Sequence, residues 1–129
     1  MTLLDDQLTD PTAEAPREID ICAWDELVPD RGVCALVAGA PVAVFRCTAP
    51  DSADELYAVG NIDPFSAASV LSRGIVGSIG ERPVVASPLF KNRFDLRTGE
   101  SLDDPAVRVP VHPVRVDGGR VRVTVAPRT

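Results

Sequence analysis

Residues 114–125 read Val-Arg-Val-Asp-Gly-Gly-Arg-Val-Arg-Val-Thr-Val, an alternation interrupted once, at Asp117-Gly118-Gly119. An extended chain sends successive side chains to opposite faces, whereas a helix would scatter these valines around its axis. The valines therefore share one face, and Arg115, Arg120 and Arg122 share the other. Asp117-Gly118-Gly119 reads as a three-residue loop whose glycines supply the positive φ that closes the hairpin. The segment specifies a half-buried antiparallel pair. Its arginine face points to solvent or forms part of a polar docking surface.

Shorter runs upstream repeat the theme. Ile19–Ala23, Val33–Ala38, Pro41–Cys47, Leu56–Val59, Ile75–Ile79, Arg82–Ala86 and Arg93–Leu96 read as strands, with a hairpin break at Gly39-Ala40 and a single turn over Trp24–Leu27. Residues 62–80 hold too many breakers for a long element, and one helical turn is expected at Ala67–Leu71. About eight short strands with almost no helical periodicity predict an all-β sandwich or barrel. Aromatic residues make up only 5% of the chain, so its core must be mainly valine, alanine, leucine and isoleucine.

The 129 residues suit one domain. The charge divides unevenly: residues 1–16 carry Asp5, Asp6, Asp10 and Glu14 with no base, out of a net charge of −6. Residues 1–17 are expected to be a flexible acidic tail and residues 18–129 the folded domain. A short helix over Thr2–Leu8 that docks on a partner is the alternative. No basic cluster exists to engage a phosphate backbone, which argues against nucleic-acid binding. No apolar run approaches the length needed to cross a bilayer. The amino-terminal stretch lacks the basic-then-apolar pattern of a secretory signal, and Cys22, Cys34 and Cys47 are odd in number, so a reducing, cytoplasmic setting is expected. The three cysteines contain no close pair of the metal-binding kind and read as small buried hydrophobes on strands.

Ser87-Pro88-Leu89-Phe90-Lys91-Asn92-Arg93-Phe94-Asp95-Leu96-Arg97-Thr98-Gly99 resembles the second cluster-binding segment of a Rieske iron–sulfur domain, and Asp63-Pro64-Phe65 stands where that family has its first. The resemblance implies a Rieske-like antiparallel β-sandwich of short strands with two protruding loops. A Rieske cluster needs two thiolates on one iron and two imidazoles on the other. The four corresponding positions here are Asp63, Phe65, Ser87 and Phe90. Phenylalanine has no lone pair to donate, and serine or aspartate oxygen is too hard to replace thiolate. The stretch 66–86 between the two segments is also longer than cluster-bearing members lead one to expect.

Asp63-Pro64-Phe65, Leu71-Ser72-Arg73-Gly74-Ile75-Val76-Gly77 and Ser87-Pro88-Leu89-Phe90-Lys91 are together similar to the small-subunit family of assimilatory NAD(P)H-dependent nitrite reductases. The resemblance implies an accessory subunit of a cytoplasmic enzyme that reduces nitrite to ammonium in nitrate assimilation. This chain would hold no catalytic residue, no metal and no cofactor, while FAD, sirohaem and a [4Fe-4S] cluster would sit on the large subunit, its partner. The alternatives are a Rieske-type [2Fe-2S] electron-transfer protein and a cofactor-free binding module for another partner. Phe65, Arg73, Phe90, Lys91 and Asn92 are the candidates for partner binding, because loops on a rigid scaffold commonly carry it. Phe65 and Phe90 either fold inward to share one apolar pocket in place of a cluster or stand outward as anchors. Arg93, Asp95 and Arg97 read as structural. Asp63 reads as a turn starter before its proline, and His112 has no evident catalytic partner.

Overall fold

The computed structural model describes residues 17–48 and 53–125. Both expectations for the acidic segment 1–16, as flexible tail or as helix, lie outside these residues. Ten strands are described: β1 (Arg17–Ala23), β2 (Arg31–Val37), β3 (Ala40–Cys47), β4 (Glu55–Gly60), β5 (Ile75–Ile79), β6 (Arg82–Ala86), β7 (Arg93–Asp95), β8 (Val111–His112), β9 (Val114–Asp117) and β10 (Arg120–Val125). They form three antiparallel sheets, ordered β9-β10-β1, β2-β3-β4-β8 and β5-β6-β7. The all-β expectation holds. Arg17, grouped with the tail by sequence, is the first residue of β1.

The four-stranded sheet is the middle layer, and β3 shows why. Its sequence, Ala-Pro-Val-Ala-Val-Phe-Arg-Cys, is apolar on both faces, as a strand covered on both sides must be. Val42 and Val44 point into a cluster with Leu27, Val37, Ala58, Val121, Val123 and Val125, beneath the β9-β10-β1 sheet. Ala43, Phe45 and Cys47 point the other way, into a cluster with Val59, Leu71, Val85, Phe94 and Leu96, beneath β5-β6-β7. Phe45 is fully buried there. Its replacement by alanine would cost about 3–5 kcal/mol.

The β9–β10 hairpin forms as its alternation dictates. Val121, Val123 and Val125 are buried, and Gly118 and Gly119, at φ 59° and 77°, make a two-residue turn instead of the expected three-residue loop, because Asp117 stays in the strand paired with Arg120. The arginine face is matched by acids on β1: Arg115 bonds Glu18 at 2.5 Å and Arg120 bonds Asp20 at 2.7 Å. A bulge at Val121/Arg122 adjusts the β10–β1 register. At the turn end, the Trp24 N–H donates to the Gly119 carbonyl at 2.9 Å, and Arg46 lies 4.1 Å from the Trp24 ring centre. At the opposite end, the Thr124 N–H donates to the Pro113 carbonyl and the Gly60 N–H to the Pro110 carbonyl, both at 2.9 Å. Arg17, paired with Val125, therefore emerges at the end where β4 runs into the loop after Gly60.

Four further details differ from the sequence reading. The β2–β3 turn is Ala38-Gly39, at φ 51° and 85°, one residue early, because the tight hairpin turn needs two positive φ angles in succession. The helical turn falls at Leu71–Arg73 instead of Ala67–Leu71, the register that buries Leu71 completely. Strand β8 was not foreseen, since two residues between Pro110 and Pro113 carry no pattern. Cys34 is exposed while Cys47 is buried, so the cysteines are not uniformly core residues. Burial and nearby Asp30, Glu55 and Asp54 push the Cys47 thiol up to about 12.

Candidate functional site

Two loops leave the same end of the layered sheets, one after β4 and one after β6. Asn61 organises the first. Its side chain is buried; Nδ2 donates to Ser69 Oγ at 2.8 Å, Oδ1 accepts from the Ser72 N–H at 2.7 Å, and its carbonyl accepts from the Val70 and Leu71 N–H groups at 3.0 Å. A loop without regular structure is thereby closed with its backbone groups satisfied.

One five-residue turn recurs, once in each of these loops and once after β7. The Asp63 carbonyl accepts from the Ala67 N–H at 2.7 Å, and its Oδ1 accepts from the Phe65 N–H at 2.9 Å. The Ser87 carbonyl accepts from the Lys91 N–H at 3.0 Å, and its Oγ accepts from the Leu89 N–H at 3.4 Å. The Asp95 carbonyl accepts from the Gly99 N–H at 2.7 Å, and its Oδ1 accepts from the Arg97 N–H at 2.7 Å. The fifth residues, Ala67, Lys91 and Gly99, have φ of 63°, 62° and 80°. Short oxygen-bearing side chains close such turns on their own backbone. The fixed spacing from the oxygen-bearing residue to the positive-φ residue is a signal the sequence held and sequence reasoning passed over.

The first two turns are joined to each other. Ser87 Oγ donates to Asp63 Oδ2 at 2.6 Å, with both residues fully buried. By the resemblance described above these two residues stand where a Rieske domain has thiolates, and here a hydrogen bond joins the two loops at that place. The positions of the two imidazoles behave differently. Phe65 is partly exposed, its ring 6.0 Å from that of Phe94. Phe90 is 65% exposed. The shared pocket for Phe65 and Phe90 is therefore not formed: Phe94 already fills the core beneath Phe65, and Phe90 stands outward.

Lys91 is exposed beside Phe90, and the Asn92 carbonyl accepts from the Ser87 N–H at 2.9 Å. Arg73 is exposed at the return of the first loop. The structure buries Phe94, Asp95 and Leu96 in succession, because β7 ends at Asp95 and the turn begins there, while Arg93 and Arg97 are exposed. Burial pushes the Asp95 carboxyl up, but Arg82 at 2.8 Å and the Arg97 and Thr98 N–H groups outweigh it and hold the group below the usual carboxylate range. Arg93 pairs with Asp103 at 3.0 Å. His112 is half-buried, which lowers its pKa.

The Rieske-like [2Fe-2S] domain family matches residues 19–124. The donors at its four ligand positions are one carboxylate, one hydroxyl and two phenyl rings, a set that does not fit an iron–sulfur cluster, and the carboxylate and hydroxyl are engaged with each other. Among the described residues no group of three or more His, Cys, Asp or Glu side chains is placed to hold a metal ion. The chain belongs to the Rieske-like domain family. It is 42% identical over 104 residues to the nitrite reductase (NADH) small subunit of Escherichia coli K12, a match covering 81% of this chain and 94% of that one. A solved structure described as an NADH-dependent nitrite reductase small subunit from Mycobacterium tuberculosis has 47% identity and a TM-score of 0.81, covering 88% of this chain and 98% of the other. The chain belongs to the nitrite reductase small-subunit family. It is also 39% identical, over 103 residues, to part of a nitrite reductase [NAD(P)H] large subunit from Klebsiella oxytoca, covering 80% of this chain and 10% of that one.

Proposed function

We propose that this chain is the accessory small subunit of an NAD(P)H-dependent nitrite reductase and docks on the large subunit through its two loop tips. The observation that carries the reading is the likeness to a segment of the Klebsiella oxytoca large subunit. A domain that is a separate small subunit in one organism and a segment of the large-subunit chain in another has its place against that large subunit. The redox groups that take electrons from NAD(P)H to nitrite, FAD, sirohaem and a [4Fe-4S] cluster, belong to the large subunit, and the setting is cytoplasmic. The tips supply apolar anchors, Phe65, Leu89 and Phe90, and a cation, Lys91, with Asn92 beside them, and Arg73 adds a second cation at the return of the first loop; aromatic and cationic side chains are characteristic of binding surfaces.

Gel filtration of the mixed subunits tests this reading: the chain co-migrates with the large subunit, and nitrite-dependent NAD(P)H oxidation rises or becomes more durable. A chain that neither co-migrates nor affects turnover sinks it. The alternative of an electron carrier would show as visible absorption from a two-iron cluster after expression with iron and sulfide.

A further inference from the structure

Strand β5 is an edge of its sheet, bonded to β6 on one side and to no strand on the other among the described residues. Its sequence, Ile-Val-Gly-Ser-Ile, carries no charge. Sheet edges are usually blunted by charge, proline or brevity. The other edge strands among the described residues follow that rule: β1, β2, β7 and β9 each hold charged side chains, and β8 is two residues long. The β5 edge is bare, with Ile75 77% and Ile79 38% exposed.

The direction of its free backbone groups follows from Pro83, which pairs with Ser78. Proline has no N–H, and the Pro83 carbonyl accepts from the N–H of Leu96, just after β7, at 2.9 Å. Ser78 and Pro83 are thus a pair without hydrogen bonds, and the Ser78 N–H and carbonyl face the open edge. Alternation turns those of Val76 the same way. Gly77 lies between them. Its pairing with Val84 has no bulge, its φ is not positive, and a Cβ there would meet nothing within 4 Å. Neither a turn nor packing within the chain calls for this glycine. Inside a strand such a residue weakens pairing and often marks where another backbone comes close.

The same edge reversed satisfies these groups when centred on Gly77. Val76 of each copy then faces Ser78 of the other, and the two pairs exchange four hydrogen bonds. Gly77 faces its own copy across the two-fold axis, where Cα atoms approach to about 4.5 Å. Ile75 faces Ile79 twice. Two residues beyond each isoleucine pair, Arg73 comes opposite Glu81. Both are exposed, and neither has an ion pair among the described residues. Opposite charges facing each other across strands stabilise a pairing.

We propose that β5 pairs with β5 of a second copy of this chain, antiparallel and centred on Gly77, joining two three-stranded sheets into one of six strands. The contact occupies each copy's edge and so closes at two. A contact this short belongs to the small, transient class, so the dimer is weak and depends on concentration. It does not rest on docking of the loop tips.

Sedimentation equilibrium of the full chain tests the pairing. The average mass should rise with concentration toward twice that of one chain. Ser78→Pro removes an outward N–H and no bond to β6, and Ile75→Lys charges a side chain that is already exposed. Each should keep the Tm of the wild type and weaken the dimer about tenfold or more. Should Ser78→Pro lower the Tm, Ile75→Lys alone decides. Glu81→Arg should weaken the dimer several-fold, and adding Arg73→Glu should restore it. A mass of one chain at every concentration overturns the proposal; if Ile75→Lys then weakens binding to the large subunit, the edge belongs to that partner. A dimer indifferent to Ile75→Lys uses another surface and also overturns it. A dimer broken by Ile75→Lys but indifferent to Glu81→Arg overturns the register centred on Gly77.

Discussion

Asp63 and Asp95 each begin the same five-residue turn, and each is buried with one carboxylate oxygen bonded to its own backbone. They differ in what the second oxygen meets. At Asp95 it meets the Arg82 guanidinium at 2.8 Å, supplied by the neighbouring strand β6. At Asp63 it meets the Ser87 hydroxyl at 2.6 Å, supplied by the other loop 24 residues further on. A cation offsets the cost of burying a carboxylate within one sheet; a neutral donor holds two separate loops together. In a Rieske domain metal binding would contribute to folding free energy at that second place. Here an ordinary hydrogen bond links the loops, a far weaker link, and the loops are otherwise closed by their own turns.

The turn at Asp95 is the more deeply built, and Gly99 is where that comparison breaks hardest. Gly99 has φ of 80°, and a Cβ there would run into the Val109 carbonyl. The left-handed conformation costs a non-glycine residue about 1–2 kcal/mol, and displacing backbone adds to that. Gly99→Ala should lower the unfolding free energy by about 3 kcal/mol or more, read as a shift of the urea midpoint. A midpoint within 0.5 kcal/mol of the wild type, the ordinary range for surface changes, would mean that this turn is no more built than those at the tips.

Next in size is Asp95→Asn. It removes the charge-assisted bond to Arg82, and such bonds contribute about 1.5–3 kcal/mol. Because the folded carboxyl is held below its ordinary value, its contribution is present above the unfolded pKa and is lost as pH falls through the folded one. The gap between wild type and variant should therefore be full at pH 7 and close progressively below about pH 4. Denaturant titrations at several pH values follow it, and a gap that widens toward acid would show that Arg82 does not hold the group down.

The layers and hairpins were legible because their signal is local. Alternation over Val114–Val125 and the two-faced apolar run of β3 each fix a face without reference to distant residues. The tie between Asp63 and Ser87 was not legible, although resemblance singled out both positions, since nothing in either segment announces the other as its partner. Asp95 reads as structural, but its burial is not visible in the alternation of Arg93–Leu96, because the strand becomes a turn at that residue. Phe90 shows a limit of another kind: its segment leaves inward and outward placement both open, and only the structure shows that residue 65% exposed.

The third prediction sharpens the Asp63 side of the comparison. Ser87→Ala leaves Asp63 Oδ2 buried without its donor, and an unsatisfied buried acceptor costs about 1–3 kcal/mol. Ser87→Ala should also speed hydrogen exchange at the Phe65 and Lys91 amides while leaving those of β3 unchanged. Uniform acceleration across the domain would mean that the bond supports the whole fold and not the loop pair.

The smallest effect on folding and the largest on assembly should fall on the same residue. Phe90 projects from a turn whose backbone bonds involve Ser87 and Lys91 and not its ring. Truncating it removes no core contact, so Phe90→Ala should change stability by no more than about 0.5 kcal/mol. Phe94→Ala, four residues away and fully buried, should cost about 3–5 kcal/mol. Against the large subunit the ranking reverses. An exposed aromatic anchor contributes more than 1 kcal/mol on truncation, so the affinity of Phe90→Ala should fall about tenfold. Thermal melting and a binding titration on the same preparation separate the two effects. A Phe90→Ala chain that melts and binds like the wild type would move the docking surface away from the loop tips.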